Sequence, residues 1–264
     1  IESTNTLRIA NTSPTAASAG ADLNGKALEK ACNTLKNRLI LVAESIFGNK
    51  EIILSHDQVT SSDNKKQMSW IALIQQAFQQ RVSLSEHAHY ATPVIHFDKT
   101  TEKGHPFAYH VYGTAILEVT VDCLKGTYQF DSVKIVHDFG NSMNTDVDNG
   151  QIEGGLVQGI GWMTMEEIIY NEKGKLISNA LSTYKVPDIY SVPREIHITH
   201  LKAIGPELAI KKSKAVGEPP LMYGLGAYFA IRKAVKAFNP SAQLAFDAPY
   251  TPEKVLMDLY KGKK

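Results

Sequence analysis

Residues 214–220, Lys-Ala-Val-Gly-Glu-Pro-Pro, hold one acidic side chain between a glycine and two prolines, directly before an apolar run with helical spacing. Proline locks its own φ angle and pushes the residue before it toward extended conformations, so the backbone at Glu218 has little freedom. A carboxylate that is held still suits a general base. The same pattern could instead mark only a helix start, because the helix macrodipole favours an acidic residue near the N-terminus of any helix.

A second candidate is the segment 11–20, which is rich in alanine and hydroxyl side chains and precedes an amphipathic helix predicted over about residues 24–45. Small side chains and exposed backbone N–H groups ahead of a helix bind anions well. A flexible loop without a ligand is the other interpretation, and the residues do not decide between the two. On the helix, Cys32 falls on the apolar stripe, which predicts a buried thiol that acts as a small hydrophobic side chain.

A glycine-rich helix is predicted over about residues 148–171. Each glycine in a helix interior costs about 1 kcal/mol relative to alanine, so something must compensate. Glycines spaced four apart form a smooth stripe that lets another backbone, or a bulky cofactor, approach closely. Both interpretations stay open. The glycines concerned are Gly150, Gly154, Gly155, Gly159 and Gly161.

The remaining elements predict an α+β fold of mixed helices and antiparallel strands. Alternating side chains over residues 109–121, a turn at Lys125 and Gly126, and a strand over residues 128–137 indicate a hairpin with one buried face. Further helices and strands are mixed without a regular βαβ alternation, which argues against a doubly wound sheet. The predicted helices lie at 69–80, after residue 218 and from 251, and the weaker strands at 51–54, 176–177 and 195–201. The chain is interpreted as one region, residues 1–264, that could form two lobes, about 1–145 and 146–264.

The charge balance argues against electrostatic binding to nucleic acid or to an anionic membrane. The chain has 28 basic and 27 acidic side chains, a net charge of +1. The basic run at residues 211–214 is interpreted as solvated surface. No long uncharged apolar run and no signal peptide are present, so we expect a cytoplasmic protein without a membrane partner. The start at Ile1 suggests a fragment.

The cysteines and histidines do not predict a metal bound by side chains. Two cysteines are too few for a disulfide framework or a thiolate cluster. The closest histidine pairs, His87 with His89 and His197 with His200, have no third ligand nearby in the sequence.

Five stretches, taken in order, resemble the molybdenum hydroxylases of the xanthine dehydrogenase and aldehyde oxidase type, specifically their second molybdenum-binding domain. The resemblance covers nearly the whole chain and implies the C-terminal part of a molybdopterin-binding region. The stretches are 12–18 (TSPTAAS), 79–85 (QQRVSLS), 150–159 (GQIEGGLVQG), 182–187 (STYKVP) and 213–220 (SKAVGEPP).

The resemblance implies a molybdopterin cofactor and a role for each matching residue. Glu218 matches the family's catalytic glutamate, a general base that activates Mo–OH so that a purine such as hypoxanthine or xanthine is hydroxylated. Thr15 and Ser18 match positions that contact the pterin, and Gln151 matches a glutamine that bonds the cofactor. Ala17 matches the position whose backbone lies against the metal. The cofactor then carries the chemistry and the fold supplies orientation, without a side chain that ligates molybdenum.

Departures from the family pattern imply that this chain holds only part of an active site. Gly20 and Ala21 stand where eukaryotic members carry hydroxyl side chains. The iron–sulfur domains, the FAD domain and the first half of the molybdenum region are absent from the sequence, so the resemblance implies these as partner domains or subunits and activity only with them. The alternatives are an aldehyde oxidase or other aromatic N-heterocycle hydroxylase, a structural half-domain that is inactive in isolation, and an unrelated binding module with an exposed anion loop.

Overall fold

The computed structural model describes residues 6–7, 15, 18–48 and 51–262 of the chain. It divides into two compact units, one of Ile1–Ala19 with Phe107–Lys264 and the other of Gly20–Pro106. The sequence suggested lobes that meet near residue 145, whereas the division falls elsewhere. The reason is that strands before residue 145 share one core with helices after it, as Ile135 and Ile152 illustrate.

The smaller unit combines two helices with short strands in its described residues. Three of the strands form an antiparallel sheet in chain order, and the last two pair with each other. The elements are α1 (Gly20–Phe47), β1 (Ile52–Ser55), β2 (Gln58–Ser61), β3 (Gln67–Ser69), α2 (Trp70–Gln79), β4 (His96–Asp98) and β5 (Lys103–His105). The polar segment 61–67 joins two strands, β2 and β3, that the sequence did not indicate.

The prediction that Cys32 is buried is wrong, because its side chain is exposed. The helix that carries it was predicted correctly, and α1 even extends beyond both predicted ends. Its buried residues, Leu39, Val42, Ala43 and Phe47, all lie in the last third of the helix. Apolar periodicity identified the helical face but not how far along that face the core reaches.

The larger unit contains one three-stranded sheet with helices and short 3-10 helices. No helix within the described ranges is both long and apolar enough to cross a membrane. The main elements are β6 (Gly113–Val121), β7 (Tyr128–His137), α3 (Thr145–Thr164), β8 (Glu195–His200), α4 (Leu225–Phe238) and α5 (Pro252–Tyr260), and the 3-10 helices are Ile189–Ser191, Ile210–Lys212 and Pro219–Gly224.

The sheet of the larger unit has the order β6-β7-β8. β6 and β7 form the predicted antiparallel hairpin, with Gly126 in the turn at φ 72°. β8 pairs with β7 in parallel, although the sequence indicated antiparallel strands. Parallel neighbours need a crossover connection, and α3 lies in the one between β7 and β8. Helices together with mainly antiparallel sheets make this an α+β fold, as predicted.

The glycine-rich helix is confirmed as α3, but it ends at Thr164 instead of about residue 171. Beyond it, the backbone of Ile169 leaves the helical hydrogen-bond pattern. Its N–H donates to the hydroxyl of Ser178 at 2.9 Å, and its carbonyl accepts from the N–H of Ile177 at 2.8 Å. These two bonds occupy the N–H and the carbonyl of Ile169, so they replace the bonds that a longer helix would have made there.

Two glycines of α3 allow the 3-10 helix Pro219–Gly224 to pack directly on its backbone. A β-carbon at Gly155 would lie 2.8 Å from the Cβ of Pro220, and one at Gly159 would overlap the carbonyl oxygen of Leu221. At these two positions the close approach of another backbone therefore accounts for the glycines. Gly154 differs, since a β-carbon there would meet open space.

The backbone of Glu218 is helical, at φ −103° and ψ −39°, and the expectation of an extended conformation before proline is wrong. Glu218 is the N-cap residue of the 3-10 helix, and its carbonyl accepts a hydrogen bond from the N–H of Leu221 at 3.2 Å. This turn, together with the packing on α3, overrides the local preference that the following proline imposes.

The glycine contact predicts opposite effects for two substitutions on the same helix. Gly159→Ala forces a methyl group into the backbone of Leu221, so we expect the free energy of unfolding to fall by about 1–3 kcal/mol. The matched control, Gly154→Ala, adds its methyl group to open space and should raise it by up to about 1 kcal/mol. Chemical denaturation of both variants measures the difference. Equal stability of the two variants would contradict the contact.

Candidate active site

Three of the predicted site residues converge around Gly217. The hydroxyl of Ser18 lies 3.4 Å from Oε2 of Glu218, a long hydrogen bond in which the hydroxyl donates. A β-carbon at Gly217 would stand 2.9 Å from Oγ of Ser18 and 3.7 Å from Oε1 of Gln151. The absence of a side chain at residue 217 thus keeps open a small polar space that these groups border.

The other two predicted cofactor residues are Thr15 and Ala17. Thr15 is described and exposed. Ala17 lies outside the described residues. Their roles stay predictions, whereas Ser18, Gln151 and Glu218 are brought together by the fold.

The packing of α3 on the 3-10 helix fixes Gln151 and Glu218 relative to each other. Gln151 lies one helical turn before Gly155, and Glu218 lies two residues before Pro220, so the Gly155–Pro220 contact sits beside both. Gln151 and Glu218 are themselves exposed, while Pro220 is buried. The contact therefore holds the two backbones and leaves the two polar side chains at the surface of the unit.

A buried ion pair anchors the chain ahead of Glu218. The ammonium group of Lys214 pairs with the carboxylate of Asp138, and their side chains are only 10% and 2% exposed. The same ammonium donates to the carbonyl of His110 at 3.0 Å, and the backbone N–H of Lys214 donates to the carbonyl of Phe139 at 2.8 Å. The hydroxyl of Tyr109 accepts from the next N–H, that of Ala215, at 3.0 Å. The interpretation of the basic run as solvated surface is wrong for Lys214.

A second pair, of the buried His137 and the half-buried Tyr223, anchors the chain after Glu218. Nδ1 of His137 and the hydroxyl oxygen of Tyr223 are 2.6 Å apart. Burial lowers the pKa of His137 to about 4, although the charges of Asp138 and Asp148 oppose the shift. Burial, followed by the charge of Asp138, raises the pKa of Tyr223 to about 12. Near neutral pH the pair is therefore an uncharged imidazole and a protonated phenol.

The sequence did not indicate His137, Asp138 or Tyr223 as site residues. One signal was available, since a histidine ends the predicted strand 128–137 and an aspartate directly follows it, and buried polar groups are rarely left unpaired. Nothing local indicated their partners. In the described part of the chain, no group of three or more His, Cys, Asp or Glu side chains could hold a metal ion.

Comparison with known proteins identifies the family. The family model described as "Molybdopterin cofactor-binding domain" matches residues 1–193. The chain belongs to this family. It is 39% identical over 262 residues to xanthine dehydrogenase/oxidase of Mus musculus and 40% identical over 261 residues to that of Rattus norvegicus, in each case over 97% of this chain and 18% of the relative. The chain therefore spans about a fifth of the length of these relatives.

The solved structures agree with the family assignment at the level of the fold. Quinoline 2-oxidoreductase from Pseudomonas putida 86 superposes with a TM-score of 0.75 and 21% sequence identity, over 94% of this chain and 31% of that chain. The predicted resemblance to a molybdopterin-binding domain, and molybdopterin as the cofactor, are confirmed by these comparisons.

The residues around Gly217 fit a pterin cofactor. Molybdopterin has the polar edges of its pterin ring and a phosphate, which require both donors and acceptors. The hydroxyl of Ser18 and the amide of Gln151 supply both kinds of group, and a side chain at Gly217 would fill the space between them. The fit is to a group that is only partly enclosed by this chain, because Gln151 and Glu218 are exposed.

The low pKa of His137 predicts that acid destabilises this chain in a defined pH window. The unfolded chain binds a proton at this histidine below about pH 6.5, whereas the folded chain does so only below about pH 4. The contribution of neutral His137 to the free energy of unfolding is therefore complete above pH 6.5. It is lost as the pH falls toward 4, by roughly 3 kcal/mol in total. We expect urea denaturation between these pH values to show this slope.

The variant His137→Gln cannot take up that proton and should flatten the slope. His197→Gln, which removes an exposed histidine of β8, is the matched control and should keep it. An unchanged slope in His137→Gln would show that another group causes the acid sensitivity.

Proposed function

We propose that this chain is the C-terminal molybdenum-cofactor-binding part of a xanthine dehydrogenase, in which Glu218 is the general base for hydroxylation of a purine. The observation that supports this most directly is an exposed carboxylate on an immobilised backbone, 3.4 Å from Ser18 and beside Gln151, in a molybdopterin cofactor-binding domain. A purine is preferred to an aldehyde or another aromatic N-heterocycle because the relatives at 39% and 40% identity are named xanthine dehydrogenase/oxidase.

The roles of the residues follow from their groups and places. When bound, the molybdenum cofactor supplies the oxygen nucleophile and takes up the electrons of the oxidation. The carboxylate of Glu218 accepts the proton of the nucleophile, as a positioned general base does. Ser18, Gln151 and Thr15 offer hydrogen bonds to the polar edges of the pterin. The backbone of Ala17 is proposed to face the metal.

The remaining parts of the enzyme are proposed to come from other domains or subunits. They comprise the upstream molybdenum domain, iron–sulfur clusters and FAD. Small-molecule sites enclose most of their ligand, whereas Thr15, Gln151 and Glu218 are all exposed here. A second domain is therefore needed to cover the cofactor and to orient the substrate.

Substitution of the proposed base tests the mechanism. In the assembled enzyme, Glu218→Gln keeps the shape of the side chain but cannot accept the proton, so kcat should fall by a factor of about 10² to 10⁴. Molybdenum content should stay unchanged. Glu172→Gln, which alters an exposed glutamate in a turn, is the matched control. Steady-state turnover of a purine close to that of the unmodified enzyme in Glu218→Gln would refute the base assignment.

The openness of the site predicts that the 264-residue chain alone retains no cofactor. We expect elemental analysis of the purified chain to show far less than one molybdenum per chain, because the exposed side chains cover only one side of the ligand. The assembled enzyme serves as the reference, with close to one molybdenum per copy of this chain. Stoichiometric molybdenum in the isolated chain would show that it binds the cofactor without a second domain.

A further inference from the structure

The end of β7 ties down the chain on both sides of Glu218. Asp138 holds Lys214, four residues before Glu218, through the buried ion pair. His137, the neighbouring residue, contacts Tyr223, five residues after Glu218. The two contacts, Asp138–Lys214 as the first tie and His137–Tyr223 as the second, thus start from adjacent residues. They lie on either side of Glu218, within the segment 214–223.

We propose that the Asp138–Lys214 and His137–Tyr223 pairs are positioning residues for Glu218, which set where its carboxylate stands without touching substrate or cofactor. The inference rests on the proposed role of Glu218 as the base. It adds four residues to the site that act only through the backbone of the segment 214–223.

The hydrogen bonds of the first tie are directed at the backbone as well as at the side chain. Beyond the ion pair, the N–H groups of Lys214 and Ala215 are held by the carbonyl of Phe139 and the hydroxyl of Tyr109. A buried ion pair is often no more stable than an apolar pair of the same size. Its fixed geometry, more than its contribution to stability, is what this arrangement provides.

In the second tie, the phenol of Tyr223 fits closely against the backbone of β6. A β-carbon at Gly113, the first residue of β6, would overlap the hydroxyl of Tyr223. The phenol therefore occupies a space that depends on a glycine, with its oxygen at hydrogen-bonding distance from Nδ1 of His137. Nε2 of the same histidine is buried and has no hydrogen-bond partner within the described ranges. A buried polar group in that state is costly, and the Tyr223 contact is what the imidazole gains in this position.

The side chain of Glu218 gives little restraint by itself. It is exposed, and its hydrogen bond with Ser18 is long, at 3.4 Å. The position of the carboxylate is therefore inherited from the backbone between the two ties and from the contact of Pro220 with Gly155. A displacement of about 1 Å at a catalytic group costs roughly a hundredfold in rate, so loss of either tie should lower turnover.

The test uses the assembled, cofactor-loaded enzyme with the variants Tyr223→Phe and Lys214→Met. Each should lower kcat by a factor of about 10 to 100 with KM changed less than about twofold and molybdenum content unchanged, because positioning affects the reacting geometry and not the binding. The matched controls are Tyr190→Phe, an exposed tyrosine, and Lys212→Met, whose ion pair with Glu207 is exposed. Both controls should keep full turnover.

Two further measurements separate positioning from general stability. Hydrogen exchange of peptides that cover residues 213–224, in the enzyme without substrate, should speed up in both tie variants and stay unchanged in the controls. The double variant Glu218→Gln with Tyr223→Phe should turn over no more slowly than Glu218→Gln alone, because Tyr223 acts only through Glu218. A merely structural role would lower the rate of the double variant further.

The inference is overturned if Tyr223→Phe keeps kcat within about twofold and exchange is unchanged, or if the double variant shows additive losses. Where Lys214→Met fails to fold, Tyr223→Phe decides alone, since it removes a single oxygen. Failure of the proposed function is a separate result: it appears as full turnover in Glu218→Gln. In that case the exchange data still report whether the two pairs hold the segment, and the inference about catalysis falls with the base.

Discussion

The direct packing of the 3-10 helix Pro219–Gly224 on α3 is the contact on which the site depends. Two backbones come this close only because Gly155 and Gly159 lack side chains, and each helical glycine costs about 1 kcal/mol. In return, the contact that the glycines allow joins α3, which carries Gln151, to the 3-10 helix that Glu218 caps. A side chain between them would separate the two polar groups.

The end of strand β7 holds the segment that makes this contact. The sheet register places His137 and Asp138 where β7 leaves the sheet, so that one residue reaches the chain after Glu218 and the next reaches the chain before it. Successive residues of an extended chain point in opposite directions, which lets neighbours serve two different partners. The parallel pairing of β8 holds β7 in this position on its second edge.

The sequence predicted the residues that carry local signals and missed those that depend on packing. The glycine-rich helix and the hairpin follow from periodicity, and Glu218 stands out through the prolines beside it. The burial of Lys214 depends on Asp138, which lies 76 residues away in the sequence. A local sequence pattern cannot show a contact over that separation. The exposure of Cys32 depends on where along α1 the core ends. The helical backbone of Glu218 reflects a tertiary contact that outweighs the preference of the residue before proline.

Glu218, the proposed general base, is held mainly through its backbone and not through its carboxylate. Hydrogen bonds donated to a carboxylate stabilise its charged form and so make it a weaker base. A carboxylate immobilised by many such bonds would be well placed but poorly reactive. Here the strong contacts fall on Lys214 and Tyr223, and the described contact to the carboxylate of Glu218 itself is the long one from Ser18. The described restraint on Glu218 therefore comes mainly through its backbone, as its proposed role as a positioned base requires, and the polar groups that provide it contact Lys214 and Tyr223 instead of the carboxylate.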